Sequence, residues 1–252
     1  MTNNEHNDLV LESMHELRYF NQQLKNFSEQ LSIELRSDKV DQNKTIDMKV
    51  QQADKVRNLA TNIVNLSQLF TTRIDFIDVE LNPNAIEQLP IQKVNIYGKF
   101  DKAKKMLHAL SRKKKVKVNI KSEVKDGRII EAYSIIDILP YLLLDNAVKY
   151  SPEQNDVDIT FVYYNDCVKI EILSEGPFVG ADEIKKLAGK HYRGRNALKV
   201  DDCTGRGLGL YFVGYIAELH DIDITYKSEK YSYEVNGVPY STFSVALSVP
   251  LQ

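Results

Sequence analysis

Gly205-Arg206-Gly207-Leu208-Gly209-Leu210, continuing into Tyr211 through His220, is the stretch on which the reading of this chain turns. Glycine at alternate positions removes the Cβ atoms that would keep an anion away from the backbone. The residues from Leu208 to His220 read as a helix. A helix that starts directly after such a turn aims its free N–H groups and the positive end of its dipole at whatever lies in front of it. A plain flexible loop before a helix has the same composition, so the stretch needs support from elsewhere in the chain.

That support lies upstream, in Leu144-Asp145-Asn146-Ala147-Val148-Lys149-Tyr150-Ser151-Pro152. Asn146 can offer a carbonyl oxygen to Mg²⁺, an ion that takes oxygen ligands and bridges phosphates. Lys149 follows three residues on, hence on the same helical face, where its ammonium can neutralise phosphate. The competing reading is the polar face of an amphipathic helix end. The pattern predicts one helix from Tyr133 to Tyr150, with a conflict at Pro140: proline inside a helix removes a hydrogen bond, so the helix either starts near Leu139 or bends there.

The N-terminal part has a different period. Val10, Leu17, Leu24 and Leu31 fall seven apart, with Met14, Asn21, Ser28 and Leu35 at the alternate seam positions and Phe20 and Phe27 widening the stripe. After a polar break from Arg36 to Lys44, a second stripe runs Ile46, Ala53, Val56, Ala60, Ile63, Ser67, Phe70, Ile74, Ile77. Two long helices with a short loop form an antiparallel hairpin, and one hairpin buries only one stripe, so a homodimeric four-helix bundle is expected. His15-Glu16-Leu17-Arg18 lies on the first helix. His15 falls beside the seam and so faces solvent. Glu16 can accept the Nδ1 proton of the imidazole and leave Nε2 as a nucleophile.

Asn82-Pro83-Asn84 reads as the linker, giving domains over 1–82 and 83–252. Beyond it the expected elements are a helix over Phe100 to Leu110 and a strand over Val116 to Ile120, then the helix ending at Tyr150. Strands over Val157 to Tyr164 and Val168 to Leu173, turning at Asn165-Asp166, precede a short helix over Asp182 to Leu187. A long polar loop spans Gly189 to Gly207. After the Leu208 to His220 helix, strands near Ile222 to Tyr226 and Phe243 to Val249 complete a two-layer α/β sandwich.

Composition sets limits. The 252 residues are 43% hydrophobic, enough for a real core, and the formal net charge of -2 gives no reason to expect nucleic acid. The basic run Arg112-Lys113-Lys114-Lys115 with Lys117 reads as a solvated helix end, or as a dock for an acidic partner or membrane surface. Cys167 and Cys203 have neither metal-ligand spacing nor a disulfide framework and fit a reducing cytosol. No apolar run is long enough to span a bilayer, and the polar N-terminus is not a secretory signal, so a soluble, cytoplasmic chain is expected.

Taken together, these motifs resemble the cytoplasmic core of a two-component sensor histidine kinase over nearly the whole chain. His15-Glu16-Leu17-Arg18 resembles the family's H-box. Asn146-Ala147-Val148-Lys149-Tyr150-Ser151 resembles the N-box. Ser174-Glu175-Gly176-Pro177-Phe178-Val179 resembles the first glycine box, Tyr192-Arg193-Gly194 the arginine motif of the lid, and Gly205 to Leu210 the second glycine box. The resemblance implies a Bergerat-type ATP site of the kind shared with type II topoisomerase and chaperone ATPases. It implies Mg²⁺ on Asn146, Lys149 near phosphate and Tyr150 near the base or sugar. Ser174 and Gly176 belong to the base side, and Gly205, Arg206, Gly207, Leu208 and Gly209 to the phosphates. A lid over about 189–206 carries Arg193 toward the γ-phosphate. His15 would take the phosphoryl group, in cis or in trans, with Glu16 as base, and an aspartate of a response regulator would receive it.

The match departs from the family at five places. Leu142 stands where a polar or acidic residue is usual, one turn before Asn146, which predicts weak hydrolysis of ATP by water. Ser174 replaces the Asp that reads the adenine amino group; its hydroxyl accepts the bond without charge. Phe178 replaces a glycine of the first glycine box. Tyr19 stands where phosphatase-competent members carry Thr or Asn, and the proline that kinks many H-box helices is missing after Arg18. Leu142 and Ser174 motivate a second reading, a pseudokinase or phosphotransfer and docking module with a degenerate ATP site. Few residues precede His15, so the chain is expected to be either shortened or a soluble kinase signalled through a partner, such as an upstream sensor protein, or through the bundle.

Overall fold

The structure is a computed structural model that describes residues 17–18, 21–35, 46–124, 128–200 and 207–251. His15, Glu16, Tyr19, Cys203, Gly205 and Arg206 lie outside the described residues. The chain divides into two compact units, Met1–Leu89 and Pro90–Gln252.

The first unit is helical. Helix α1 (21–35) is followed by the 36-residue helix α2 (Ile46–Leu81), whose sequence holds neither glycine nor proline. Gln52 Nε2 donates to the Glu34 carbonyl at 2.9 Å and Lys55 pairs with the Glu34 carboxylate, so the end of α1 lies against the start of α2, as a hairpin requires. Pro83 stops α2: the residue before a proline is pushed out of the helical region, and Asn82 has φ -136° and ψ 92°. Pro83–Gln88 then forms a 3₁₀ turn that stays with the helical unit, and the break falls between Leu89 and Pro90. Among the described side chains of α2 the buried ones are Leu59, Leu66, Thr72 and Val79, with the Thr72 hydroxyl satisfied by the Gln68 carbonyl at 2.9 Å. That stripe lies beside the expected one. Ala53, Ser67 and Ile74 are exposed and Val56, Ala60, Ile63, Phe70 and Ile77 are only half-buried. A 36-residue helix rich in apolar residues carries two adjacent stripes, and the single chain covers the one that the heptad count passes over.

The second unit is an α/β sandwich. Its main sheet runs β2 (Lys117–Ser122), β4 (Asp156–Tyr163), β5 (Cys167–Pro177), β8 (Val238–Pro250), β6 (Asp223–Ser228), with β7 (Tyr233–Val235) also paired to β8. Among the described strands of this sheet only β2 and β4 are parallel. A separate antiparallel pair joins β1 (Ile91–Asn95) to β3 (Ile129–Tyr133). The helices are α3 (Ile96–Met106), α4 (His108–Lys113), α5 (Ile138–Tyr150), the four-residue α6 (Ala181–Ile184) and α7 (Gly209–Leu219).

Alternation on β5 buries Val168, Ile170, Ile172 and Ser174 while Lys169, Glu171 and Leu173 face out. Helix α5 packs on that buried face, between α3 and α7, and buries eight of its thirteen residues. Each large side chain so removed from water contributes roughly 1.5–3 kcal/mol. Phe100 of α3 meets Phe161 of β4 edge-on, with ring centroids 5.4 Å apart.

Three expectations change. The helix expected from Tyr133 starts at Ile138, after strand β3 and a 3₁₀ turn over Ser134–Asp137. Pro140 therefore sits in the first turn, where its missing N–H has no intrahelical acceptor to lose. The helix expected over Phe100 to Leu110 is two, α3 and α4, meeting at Leu107; α3 starts earlier because the Asn95 side chain caps it, accepting from Gly98 N–H at 3.0 Å. Strands β1, β3 and β7 were not expected.

Candidate functional site

The glycine turn meets α7 as the spacing requires. Leu208 is the N-cap residue and supplies no side-chain cap, so the orphan N–H groups of the first turn are not taken by a capping side chain. The two described glycines are glycine for different reasons. Gly207 has φ +74°, and a Cβ there would lie 2.5 Å from the Tyr192 carbonyl oxygen and 2.6 Å from the His191 carbonyl carbon. The turn thus lies directly on the His191–Tyr192 peptide. At Gly209 a Cβ would meet no atom of the described residues within 4 Å. Among the described residues there is therefore room for a side chain beside the start of α7, and glycine leaves it unfilled.

The last two turns of α5 carry Asn146, Lys149 and Tyr150, all half-buried. The Lys149 ammonium lies 5.8 Å from the centroid of the Tyr150 ring. The Asn146 side chain makes no hydrogen bond among the described residues, which leaves its carbonyl oxygen available to a cation. The next residue, Ser151, is buried; its hydroxyl donates to the Glu175 carbonyl at 3.2 Å and fastens the helix end to β5. On β5 the Ser174 side chain is buried on the face that α5 covers. Gly176 is not in a loop: β5 continues to Pro177, with Gly176 opposite Ser241, and a Cβ on Gly176 would make only an ordinary 3.9 Å contact with Phe243. On the other side of the strand the Glu175 carboxylate accepts from Tyr233 at 3.0 Å and Thr242 at 2.7 Å. Burial, and then the Glu175 hydrogen bond, push the Tyr233 hydroxyl up to about 12.

Between these segments stands a short, tightly held piece of chain. The buried Glu183 carboxylate of α6 accepts from the Tyr192 hydroxyl at 2.7 Å and the Arg195 N–H at 2.9 Å, and pairs with the Arg195 guanidinium at 3.2 Å. Burial pushes the Glu183 carboxyl up, but these donors outweigh it and hold the group below the usual carboxylate range. Asp182 takes Arg195 at 2.9 Å. Asn196 reaches across to the Phe178 carbonyl at 2.7 Å, and Arg193 Nη2 donates to the Ala197 carbonyl at 3.1 Å. The base of the proposed lid is thus tied to α6 and to the end of β5. Glu183 and Asn196 carry these ties, and neither stood out in the sequence: a Glu in a short polar helix and an Asn in a polar loop have no periodic or motif signal.

The residues that the sequence grouped are therefore gathered by α5 packing on β5 and α7, by Ser151 on Glu175 and by Gly207 on the lid backbone. The fit for a magnesium nucleotide is sound: an oxygen donor without a hydrogen bond at Asn146, a nearby ammonium at Lys149 and an open helix end at Gly209. Among the described residues no group of three or more His, Cys, Asp or Glu side chains is placed to hold a metal, so Mg²⁺ here would take most of its ligands from phosphate and water.

Comparison with known proteins agrees. Residues 141–251 match the family described as histidine kinase-, DNA gyrase B- and HSP90-like ATPases. Sensor protein QseC of Escherichia coli O157:H7 is 28% identical over 170 residues, 66% of this chain and 33% of QseC. Sensor histidine kinase HprS of Escherichia coli (strain K12) is 40% identical over 85 residues, 33% of this chain and 18% of HprS. The chain spans about a third of the length of the curated QseC relatives it matches. The catalytic domain of histidine kinase ThkA shares the fold with a TM-score of 0.52 at 16% identity, covering 65% of this chain and 99% of that one. Residues 141–251 thus match the model of that ATPase family, and parts of the chain are similar in sequence to sensor histidine kinases. Among the described residues, no helix is long and apolar enough to cross a membrane.

Proposed function

We propose that this chain is an ATP-dependent protein histidine autokinase that passes the phosphoryl group from His15 to an aspartate of a response regulator. The observation that carries the reading is the uncapped start of α7, open above Gly209, within a domain of this ATPase family. The triphosphate lies against that helix end, with Gly205, Arg206, Gly207 and Leu208 around it. Asn146 holds Mg²⁺, which spreads the phosphate charge when bound. Lys149 neutralises phosphate, Tyr150 borders the sugar or base, Ser174 accepts from the base, and Gly176 lines the same wall. Arg193 leaves the Ala197 carbonyl for the γ-phosphate as the lid closes. His15 Nε2 forms the new N–P bond as the bond to the leaving ADP oxygen breaks, and Glu16 takes the Nδ1 proton.

Helices from two chains form the dimeric bundle that presents His15. Residues 1–89 serve dimerisation and phosphotransfer, and residues 90–252 bind the nucleotide. The protein works at the cytoplasmic side, with an upstream sensor as a further partner.

The test is incubation with γ-labelled ATP and Mg²⁺. Acid-labile label is expected on the wild type and not on His15→Ala or Asn146→Ala. Label that survives in His15→Ala makes another histidine the acceptor, with His6, His108, His191 and His220 next in line.

A second reading, a pseudokinase used for docking, is favoured by the buried neutral Ser174 and by Leu142 one turn before Asn146. A thermal shift measurement separates the two: no stabilisation by millimolar ATP with Mg²⁺ selects the pseudokinase.

A further inference from the structure

The basic run Arg112 to Lys115 holds one ammonium that is not simply solvated. Lys114 Nζ donates to the carbonyl oxygens of Val148 at 3.2 Å and Ser151 at 2.9 Å, and also to that of Lys149. All three belong to the C-terminal end of α5, the helix that carries Asn146, Lys149 and Tyr150. Carbonyls at a helix C-terminus lack intrahelical donors and concentrate the negative end of the dipole, equivalent to about half an elementary charge. A lysine has three N–H donors, and here three carbonyls take them.

The ammonium is delivered by a shaped turn. Lys114 is the C-cap of α4, with its N–H on the Leu110 carbonyl at 3.0 Å. Lys115 follows at φ 55°, and Val116 N–H returns to the Ser111 carbonyl at 2.8 Å. Lys117 N–H then bonds the Asn155 carbonyl at 3.2 Å, just past the end of α5. Lys115, the next residue, points its own charge elsewhere and pairs with the exposed Glu153.

A polyphosphate brought to Asn146 and Lys149 approaches the negative end of α5, which repels it. We propose that Lys114 is a positioning residue for nucleotide binding: it cancels that negative end and fixes the last turn of α5, so that Asn146 and Lys149 meet a polyanion. The proposal rests on the nucleotide-binding reading above. It differs from a purely structural role in one measurable respect. The loss on removing the charge must grow with the charge of the ligand.

The experiment measures the affinity of the full chain for Mg-ATP and for adenosine by calorimetry, with melting temperatures alongside. Lys114→Met and Lys114→Gln are expected to weaken Mg-ATP about tenfold and adenosine less than twofold. Lys114→Arg, which keeps charge and donors, is expected to restore most of the ATP affinity. Lys115→Met, an equal loss of net charge one residue away, is expected to bind both ligands as the wild type does. Should the methionine variant fail to fold, the glutamine variant, which retains two N–H donors, carries the same comparison. Equal weakening of both ligands, no weakening of either beside a lowered melting temperature, or a Lys115→Met variant that loses as much ATP affinity overturns the proposal. A wild type that binds adenosine but not Mg-ATP overturns it as well, while one that binds neither removes the nucleotide reading on which it stands.

Discussion

Gly207 and Gly209 stand two residues apart and answer to different demands. Alanine at 207 would hold an L side chain at φ +74°, worth about 1–2 kcal/mol, and drive its Cβ into the Tyr192 carbonyl. Alanine at 209 meets no atom and suits a first helical turn. Gly207→Ala is therefore expected to melt several degrees below the wild type with or without ligand. Gly209→Ala should keep the wild-type melting temperature and lose the ATP-induced stabilisation. Differential scanning fluorimetry with and without Mg-ATP reads both. The sequence made the two glycines equivalent, because spacing reports permissiveness and not its cause. It also placed Asn146 and Lys149 on one helix face, since the 3.6-residue period is a local property. What it could not convey is what depends on distant partners, such as the carboxylate of Glu183 under the lid or the ammonium of Lys114 at a helix end more than thirty residues away.

Among the elements, α7 has an uncapped start and a locked finish. His220, its C-cap, accepts the Tyr133 N–H on Nε2 at 3.1 Å and donates from Nδ1 to the Ile216 carbonyl at 2.7 Å, with its ring edge-on to Tyr133. That pattern requires the neutral imidazole with its proton on Nδ1. Burial pulls the His220 pKa down, and the bond to the Ile216 carbonyl and the charge of Asp221 only partly oppose it. The folded state therefore binds a proton less readily than the unfolded chain, whose value is near 6.5. The stabilising effect is complete above that value and is lost as pH falls through the lowered folded value. The urea midpoint is expected to drop between pH 7.5 and pH 5.5, and His220→Ala, weaker by about 1–3 kcal/mol at pH 7.5, should flatten that drop. The length of α7 was legible beforehand, since a helix over Leu208 to His220 was expected and Gly209–Leu219 forms one. It missed β3, the strand whose end His220 holds, because Ile129 to Tyr133 joins a pair of only two strands and runs into a proline-bearing helix that masks its period.

At the scale of the molecule, the helical unit keeps apolar residues in water. Val64 is 55% exposed and Ile74 45%, on a helix whose own hairpin covers Leu59, Leu66 and Val79. An unpaired stripe of this kind fits the proposed homodimer. Light scattering on the full chain is expected to give twice the 28.9 kDa of one copy, and Val64→Glu with Ile74→Glu should reduce it to one. A wild type that elutes as a single copy at micromolar concentration removes the bundle from the proposal. Heptad counting found the hairpin but not which stripe each helix would keep for its own chain, since both fit the same period.

Strand β5 remains zipped to β8 through Pro177, four residues past the end expected at Leu173. One wall of the proposed nucleotide site is therefore built from a continuous ladder, and parting it would mean breaking main-chain bonds in sequence. The opposite wall hangs from a single carboxylate and a few side-chain ties. A nucleotide bound as proposed would thus enter and leave on one side, with its adenine end against a fixed jamb and its phosphate end under the more lightly held segment.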